Sequence, residues 1–239
     1  MENSYCVIVP CYNEEESIAQ TIAEIRKSNG DISIIAINDG STDRTSEVLS
    51  LLECKSLNFV SNLGIGGAVQ AGFMWALQNG YEAAIQIDAD GQHPPAYIAD
   101  LIATFEGSNC EMVIGSRNLG LKSSSTTKLR KIGNRFISSW INLLFPIGRI
   151  TDSTSGMRLV GKSGLELFSN DYPNDYPEPI AIAHMKSKGM RVVEIPIQMR
   201  SRKAGISSIS SAHSPFYMFR VLSYITLLWL SSINRRKHE

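Results

Sequence analysis

Two carboxylates one residue apart end a short apolar run, Ala83-Ala84-Ile85-Gln86-Ile87-Asp88-Ala89-Asp90. Side chains i and i+2 of an extended segment point the same way, so Asp88 and Asp90 converge. Gly91 and Pro94-Pro95 stop regular structure from continuing, which holds both acids at a loop mouth. Oxygen ligands of this kind hold Mg²⁺ or Mn²⁺ and leave positions open for phosphate oxygens, so a diphosphate substrate is the first chemistry they suggest. Asp-x-Asp-Gly also occurs in calcium loops, but an EF-hand loop wants Glu at its twelfth position, and position 99 is Ala.

The elements that must carry these acids alternate. Apolar, strand-like runs at Cys6 to Val9, Ile32 to Ile37, Leu57 to Val60 and Ala83 to Ile87 are separated by amphipathic stretches at Glu15 to Lys27, Asp43 to Leu52 and Gly67 to Asn79. This alternation predicts an α/β fold with a mostly parallel, doubly wound sheet flanked by helices. Ligands on such sheets bind outside the carboxyl ends of the strands, where the loops rich in Pro, Asn, Asp and Gly fall. Further on, Met112 to Ile114 and Val192 to Met199 read as strands and Lys128 to Leu144 as an amphipathic helix. The Pro-rich stretch Asp171 to Pro179 reads as irregular, and Ser207 to Ser214 as a hinge before an apolar terminal helix.

The chain has 239 residues, 43% of them hydrophobic, enough for one catalytic domain with an appendage: 1–206, then 207–239. Its formal net charge is zero, so no global field attracts nucleic acid, and any anion site must be built from local Arg and Lys. Cys6, Cys11, Cys54 and Cys110 lack CxxC spacing and read as reduced cytosolic thiols. The apolar run after Met1 to Tyr5 ends at Pro10, too brief for a secretory signal. Phe216 to Leu230 is apolar apart from Arg220 and precedes Arg235-Arg236-Lys237. It falls short of the roughly 20 residues of a spanning helix and reads as interfacial, with a core or oligomer-forming helix as the alternative.

Two more loops carry chemistry. In Val9-Pro10-Cys11-Tyr12-Asn13-Glu14-Glu15-Glu16, Asn13 is placed to cap a helix whose first acids suit its dipole. In Ile37-Asn38-Asp39-Gly40-Ser41-Thr42-Asp43, Asp39 and Ser41 sit at the sheet mouth, and Ser41 or Thr42 is placed to cap the next helix. Arg117, Arg130, Arg135 and Arg202 fall in segments that line the late side of the same mouth, and guanidinium forks suit phosphate.

These two loops, Leu63-Gly64-Ile65-Gly66-Gly67-Ala68 and Asp88-Ala89-Asp90-Gly91-Gln92-His93-Pro94 occur in an order and spacing that resembles the family 2 glycosyltransferases of the GT-A fold, over roughly residues 5 to 210. The polyprenyl-phosphate transferases, dolichyl and undecaprenyl, are the most similar in pattern. The resemblance implies that Pro10, Tyr12, Glu14 and Asp39 hold the nucleoside. It implies that Asp88, Asp90 and Gln92 hold a metal ion and the diphosphate, with Asp90 at the catalytic centre. The usual Asp-Asp-Gly reads Asn38-Asp39-Gly40 here, so only its second acid carries over. Gly115-Ser116-Arg117 and Asp152-Ser153-Thr154-Ser155-Gly156-Met157-Arg158 look like acceptor-side segments. Arg202-Lys203-Ala204-Gly205-Ile206-Ser207 is similar to the polyprenyl group's late loop, which commonly continues with Lys where this chain has Ser208.

The reaction so implied is inverting transfer of a sugar from a nucleoside diphosphate, uridine being the commonest base, to a polyprenyl phosphate in cell-envelope polysaccharide synthesis. Such a phosphate is already ionised and needs no strong base, whereas a hydroxyl acceptor needs one; Asp152, as base or acceptor-orienting group, is the first nominee and Glu178 the second. The resemblance places the enzyme on the cytoplasmic face of the membrane, with a small membrane protein as a docking partner and homo-oligomerisation left open. The rivals are transfer to a saccharide or protein hydroxyl, and sugar-nucleotide binding without catalysis. A sugar-nucleotide pyrophosphorylase would want a Gly-rich, basic first loop where Pro10-Cys11-Tyr12-Asn13 stands.

Overall fold

A computed structural model describes residues 4–52, 54–119, 128–200 and 215–236. The Ser-rich hinge and the late loop with Arg202 lie outside the described residues, as does the side chain of Arg130.

The chain runs β1 (Tyr5–Cys11), α1 (Ile18–Asn29), β2 (Ser33–Asn38), α2 (Thr45–Leu51), β3 (Lys55–Asn58), α3 (Gly64–Gln78) and β4 (Ala83–Gln86). A 3₁₀ turn (Pro95–Tyr97) leads into α4 (Ile98–Gly107), then β5 (Met112–Ser116), α5 (Lys128–Leu144), β6 (Arg158–Gly161), α6 (Lys162–Asn170), α7 (Pro177–Ser187), β7 (Val192–Pro196) and α8 (Pro215–Arg236). The seven strands are ordered β3-β2-β1-β4-β6-β5-β7. β6 runs antiparallel to both its neighbours, β4 and β5, while the other pairings are parallel.

Period-two alternation buries the inner strands on both faces, while the edge strand β3 stays partly exposed. Along β1, Cys6 and Ile8 join one core, with Phe73 of α3, Ile137 of α5, Phe168 of α6 and Val221 of α8. Val7 and Val9 join the other, with Ile18, Ile22 and Ile25 of α1 and Leu101 of α4.

The sheet is mostly parallel, as expected. Its reversed strand, β6, starts at Arg158, paired in register with Gln86 at the end of β4, so residues 152–157 enter it from the mouth. Two expectations change. The stretch Asp171 to Pro179 is not wholly irregular, because α7 starts at Pro177. Prolines in a first helical turn lack only N–H groups that have no intrahelical partner. The terminal helix continues past Leu230 to Arg236, and Phe216–Asn234 is long and apolar enough, by length and composition, to cross a membrane. Part of that stretch is nevertheless packed inside the protein, including Tyr217, Val221 and Ile225.

Candidate active site

The loops after β1 and β2 are stitched together by Asn13, whose backbone takes the left-handed form (φ 54°). Its Oδ1 accepts the Thr42 N–H at 2.8 Å, and its own N–H donates to Ser41 Oγ at 3.0 Å. Asn13 therefore bridges two loops and does not cap α1, which starts after Ser17. Neither Ser41 nor Thr42 caps α2, whose N-cap is Arg44; Asp43 Oδ1 instead accepts the N–H of the helix's first residue, Thr45, at 2.9 Å. Tyr12 is exposed on this loop, Pro10 is buried beneath it and Glu14 is half-buried.

Asp39, the residue after β2, is almost fully buried and accepts the backbone N–H groups of Leu63 (2.7 Å) and Gly64 (2.9 Å), which open α3. Burial raises its carboxyl above the ordinary value against the pull of those two donors. Asn38, where the family pattern has another acid, is buried and donates to Asn58 Oδ1 at 2.9 Å. An amide suits that place, between an acceptor (Asn58 Oδ1) and a donor (the Ser41 N–H, 3.2 Å from Asn38 Oδ1), without an uncompensated charge.

At the end of β4 the two acids differ in setting. Asp88 is half-exposed; its Oδ1 accepts from Gln86 Nε2 at 3.4 Å, and its Oδ2 lies 3.6 Å from His93 Nδ1. That ring nitrogen accepts the Asp88 N–H at 3.3 Å, so the His93 contact is loop-holding rather than an ion pair. Asp90 is mostly buried, its Oδ1 accepting from Gln92 N–H at 3.0 Å. Gln92 also binds the last strand's exit, its carbonyl accepting Arg200 N–H at 3.0 Å and its Nε2 donating to Arg200 O at 3.4 Å. Among the described residues no cluster of three or more His, Cys, Asp or Glu forms a closed metal cage. Two carboxylates at a strand end match instead a hard divalent cation whose remaining positions are filled by phosphate oxygens.

Across the mouth, Arg117 and Asp152 form a two-point ion pair, Nη2 to Oδ1 at 2.6 Å and Nε to Oδ2 at 2.7 Å. Asp152 is fully buried and also accepts the Arg117 N–H at 2.9 Å and Asn134 Nδ2 at 2.7 Å. Burial alone would raise its carboxyl; the Arg117 guanidinium and these donors hold it below the usual range. Glu194 of β7 grips the same loop from behind, taking Thr151 N–H at 2.9 Å and Asp152 N–H at 2.8 Å. Lys186, fully buried in α7, donates to Gly148 O at 2.6 Å and fixes the segment leading in.

Glu178, in the first turn of α7, completes the cluster. Its carboxyl is raised by burial and by the charge of Asp88, against the pull of Arg158 and Arg117. Arg158 is fully buried; its Nη2 donates to Ser155 O at 2.6 Å, while its Nε and Nη1 and the Gln86 Oε1 have no hydrogen-bond partner within the protein. The structure thus gathers Asp88, Asp90, Arg117, Asp152 and Glu178 at one mouth beside Asp39, and leaves Arg135 exposed on α5.

Asn134, Glu194 and Lys186 escaped sequence reading, and Arg158 entered it only as the last residue of an acceptor-side segment. Each is a polar residue on an apolar helix face or inside a strand-like run, which is the signal that could have singled them out.

Residues 6–165 match the model of Glycosyl transferase family 2. The chain is 32% identical over 212 residues to a UDP-N-acetylglucosamine--dolichyl-phosphate N-acetylglucosaminyltransferase of Methanococcus voltae, covering 80% of this chain and 84% of that one. It is 30% identical over 216 residues to an undecaprenyl-phosphate mannosyltransferase of Micrococcus luteus, covering 85% and 86%. In structure it resembles glucosyl-3-phosphoglycerate synthase from Mycobacterium tuberculosis, solved with Mn²⁺, UDP and phosphoglyceric acid, with a TM-score of 0.71 at 16% identity over 95% of this chain and 79% of that one. With this match over most of its length, and with a mouth of acids on a GT-A sheet, the chain belongs to glycosyl transferase family 2.

Proposed function

We propose that the protein moves a sugar from a nucleoside diphosphate, a UDP-sugar, to the phosphate of a polyprenyl lipid at the cytoplasmic face of a membrane, inverting the anomeric carbon. The observation that carries this reading is the placing of Asp88 and Asp90 between two different walls. One wall, Asp39 and the start of α3, suits a nucleoside; the other, Arg117 locked on Asp152, suits a phosphate. The lipid-phosphate acceptors named for the relatives from Methanococcus and Micrococcus support the acceptor, and the first of those names supports UDP.

Asp88, Asp90 and the Gln92 Oε1 would hold Mg²⁺ or Mn²⁺, which supplies charge neutralisation for the departing diphosphate. Pro10, Tyr12 and Glu14 line the nucleoside side. The Asp152 oxygens are taken up by Arg117 and Asn134, so its part is to orient Arg117 rather than to accept a proton. An ionised phosphate needs no base, and Glu178 remains the acid facing sugar and acceptor. Arg130, Arg135 and Arg202 stay assigned to phosphate by their place in the sequence and the chemistry of guanidinium, Arg202 with the family's late loop beside it.

The membrane part of the reading rests on α5 and α8. The helices pack side by side, with Trp140 Nε1 donating to Thr226 Oγ1 at 3.1 Å. Their outer faces expose Ile132, Phe136 and Leu143, and Phe216, Phe219, Leu227 and Leu230. Neither helix contains an acidic residue, while Lys128, Arg130, Lys131 and Arg135 lie on one and Arg220, Arg235 and Arg236 on the other. Apolar side chains among basic ones suit an anionic bilayer surface.

A thermal-shift screen of nucleotide sugars with and without Mn²⁺ tests the donor half. UDP-sugars should raise the melting temperature more with metal than without; a screen in which no nucleoside diphosphate and no metal stabilises the protein sinks the proposal.

A further inference from the structure

Among the described residues only Asn13 and Tyr176 take a left-handed backbone without being glycine. Asn tolerates that region; a bulky tyrosine adopts it only where its surroundings dictate it. Tyr176 (φ 52°, ψ 52°) is the residue from which α7 starts, two positions before Glu178. What surrounds it comes from the terminal helix. The Tyr217 ring meets the Tyr176 ring edge to face, centroids 4.4 Å apart, and is itself largely buried. The Arg220 guanidinium lies 6.0 Å from the Tyr176 ring centre and its Nη2 donates to Asp175 Oδ2 at 2.8 Å. On the far side the loop is packed against α3, where Gly66 leaves room for the carbonyls of Pro173 and Asn174. The charge of Glu178 also reaches Tyr217, whose phenol is pushed up first by burial and then by that charge.

We propose that the first two turns of α8 are a positioning clamp for Glu178. Tyr217 and Arg220 hold Tyr176 in its left-handed conformation, and that conformation sets where α7 begins and so where its first-turn carboxylate stands. The clamp rests on the transferase reading for its consequence, since it makes turnover depend on the seating of a helix that contributes no ligand to the donor. Tyr217 and Arg220 are positioning residues; they act through Glu178.

Three variants test this: Arg220→Ala, Tyr176→Ala and Glu178→Gln. Arg220 is half-exposed, so its truncation spares the core. Arg220→Ala and Tyr176→Ala should each lower kcat about tenfold while the stabilisation by UDP-sugar and Mn²⁺ stays that of the wild type, and Arg220→Lys should recover most of the loss. In the Glu178→Gln background Arg220→Ala should cost nothing further. Independently of any turnover, Arg220→Ala should speed amide hydrogen exchange in the first turn of α7 and not in α3. Unchanged exchange there, or a loss of kcat that simply adds to that of Glu178→Gln, would overturn the clamp. Absence of transfer by the wild type would count against the proposed function, and the exchange result would still decide the clamp.

Discussion

Gly156 and Asp88 are in such close approach that a β-carbon on Gly156 would lie 2.6 Å from the Asp88 Oδ2 and 3.1 Å from His93 Cε1. The acceptor-side segment is thus bare at the point where it meets the first acid of the metal pair. Gly156→Ala must push the Asp88 carboxylate aside, because a carbon–oxygen contact of that length lies well inside van der Waals separation. We expect donor affinity in the presence of Mn²⁺ to fall about tenfold or more, with metal-free nucleotide binding much less affected. Titration calorimetry with and without the ion measures both.

Removing the charge from Asp152 leaves Arg117 buried beside an amide that can accept through only one atom. Six donors converge on the two carboxylate oxygens: the Arg117 N–H, Nε and Nη2, Asn134 Nδ2, and the Thr154 N–H and hydroxyl. Breaking one side of a buried pair costs about 3–5 kcal/mol, so Asp152→Asn should lower the urea midpoint markedly. A midpoint equal to that of the wild type would mean the pair is solvated in the working enzyme.

Two glycine substitutions should go in opposite directions. A Gly66 β-carbon would clash with the Pro173 carbonyl and lie 2.5 Å from that of Asn174, so Gly66→Ala should destabilise by about 1–3 kcal/mol and loosen the α3 start that Asp39 holds. Gly107, the last residue of α4, has nothing within 4 Å of its β-carbon. Gly107→Ala should stabilise by up to about 1 kcal/mol in the same denaturation assay.

Burial lowers the ammonium of Lys186 to about 8, with Glu194 opposing. Between that value and its unfolded value near 10.5 the unfolded chain binds the extra proton, so this residue's contribution to stability rises with pH across the window. Lys186→Met removes the dependence. The stability of the wild type relative to the variant should therefore improve from pH 8 towards pH 10; a difference that stays flat over that range would show that the lysine keeps its proton in the fold.

The first half of the fold was legible because period-two strands and amphipathic helices alternate there with clear turn residues. Asp39, Asp88 and Asp90 were legible for the same reason: each sits where an apolar strand stops, so its place at the mouth follows from topology. The second half resisted because β6 is four residues long, begins with a charged Arg158 and runs against the sheet. The supports of the Asp152 loop were invisible for a different reason. Asn134, Lys186 and Glu194 act across 18 to 42 residues of sequence, and only the tertiary fold shows what a polar side chain on an apolar face is bonded to. The start of α7 misled because prolines read as breakers, whereas at a first turn they help a helix begin.

The most direct test follows the sugar itself. Labelled UDP-sugar is incubated with the protein, a divalent metal and a short polyprenyl phosphate, and label is counted in the organic phase. The account predicts metal-dependent transfer into the lipid phase, reduced about 100-fold or more by Asp90→Asn. Label that stays in the aqueous phase with every UDP-sugar tried, or lipid labelling indifferent to Asp90→Asn, would contradict it.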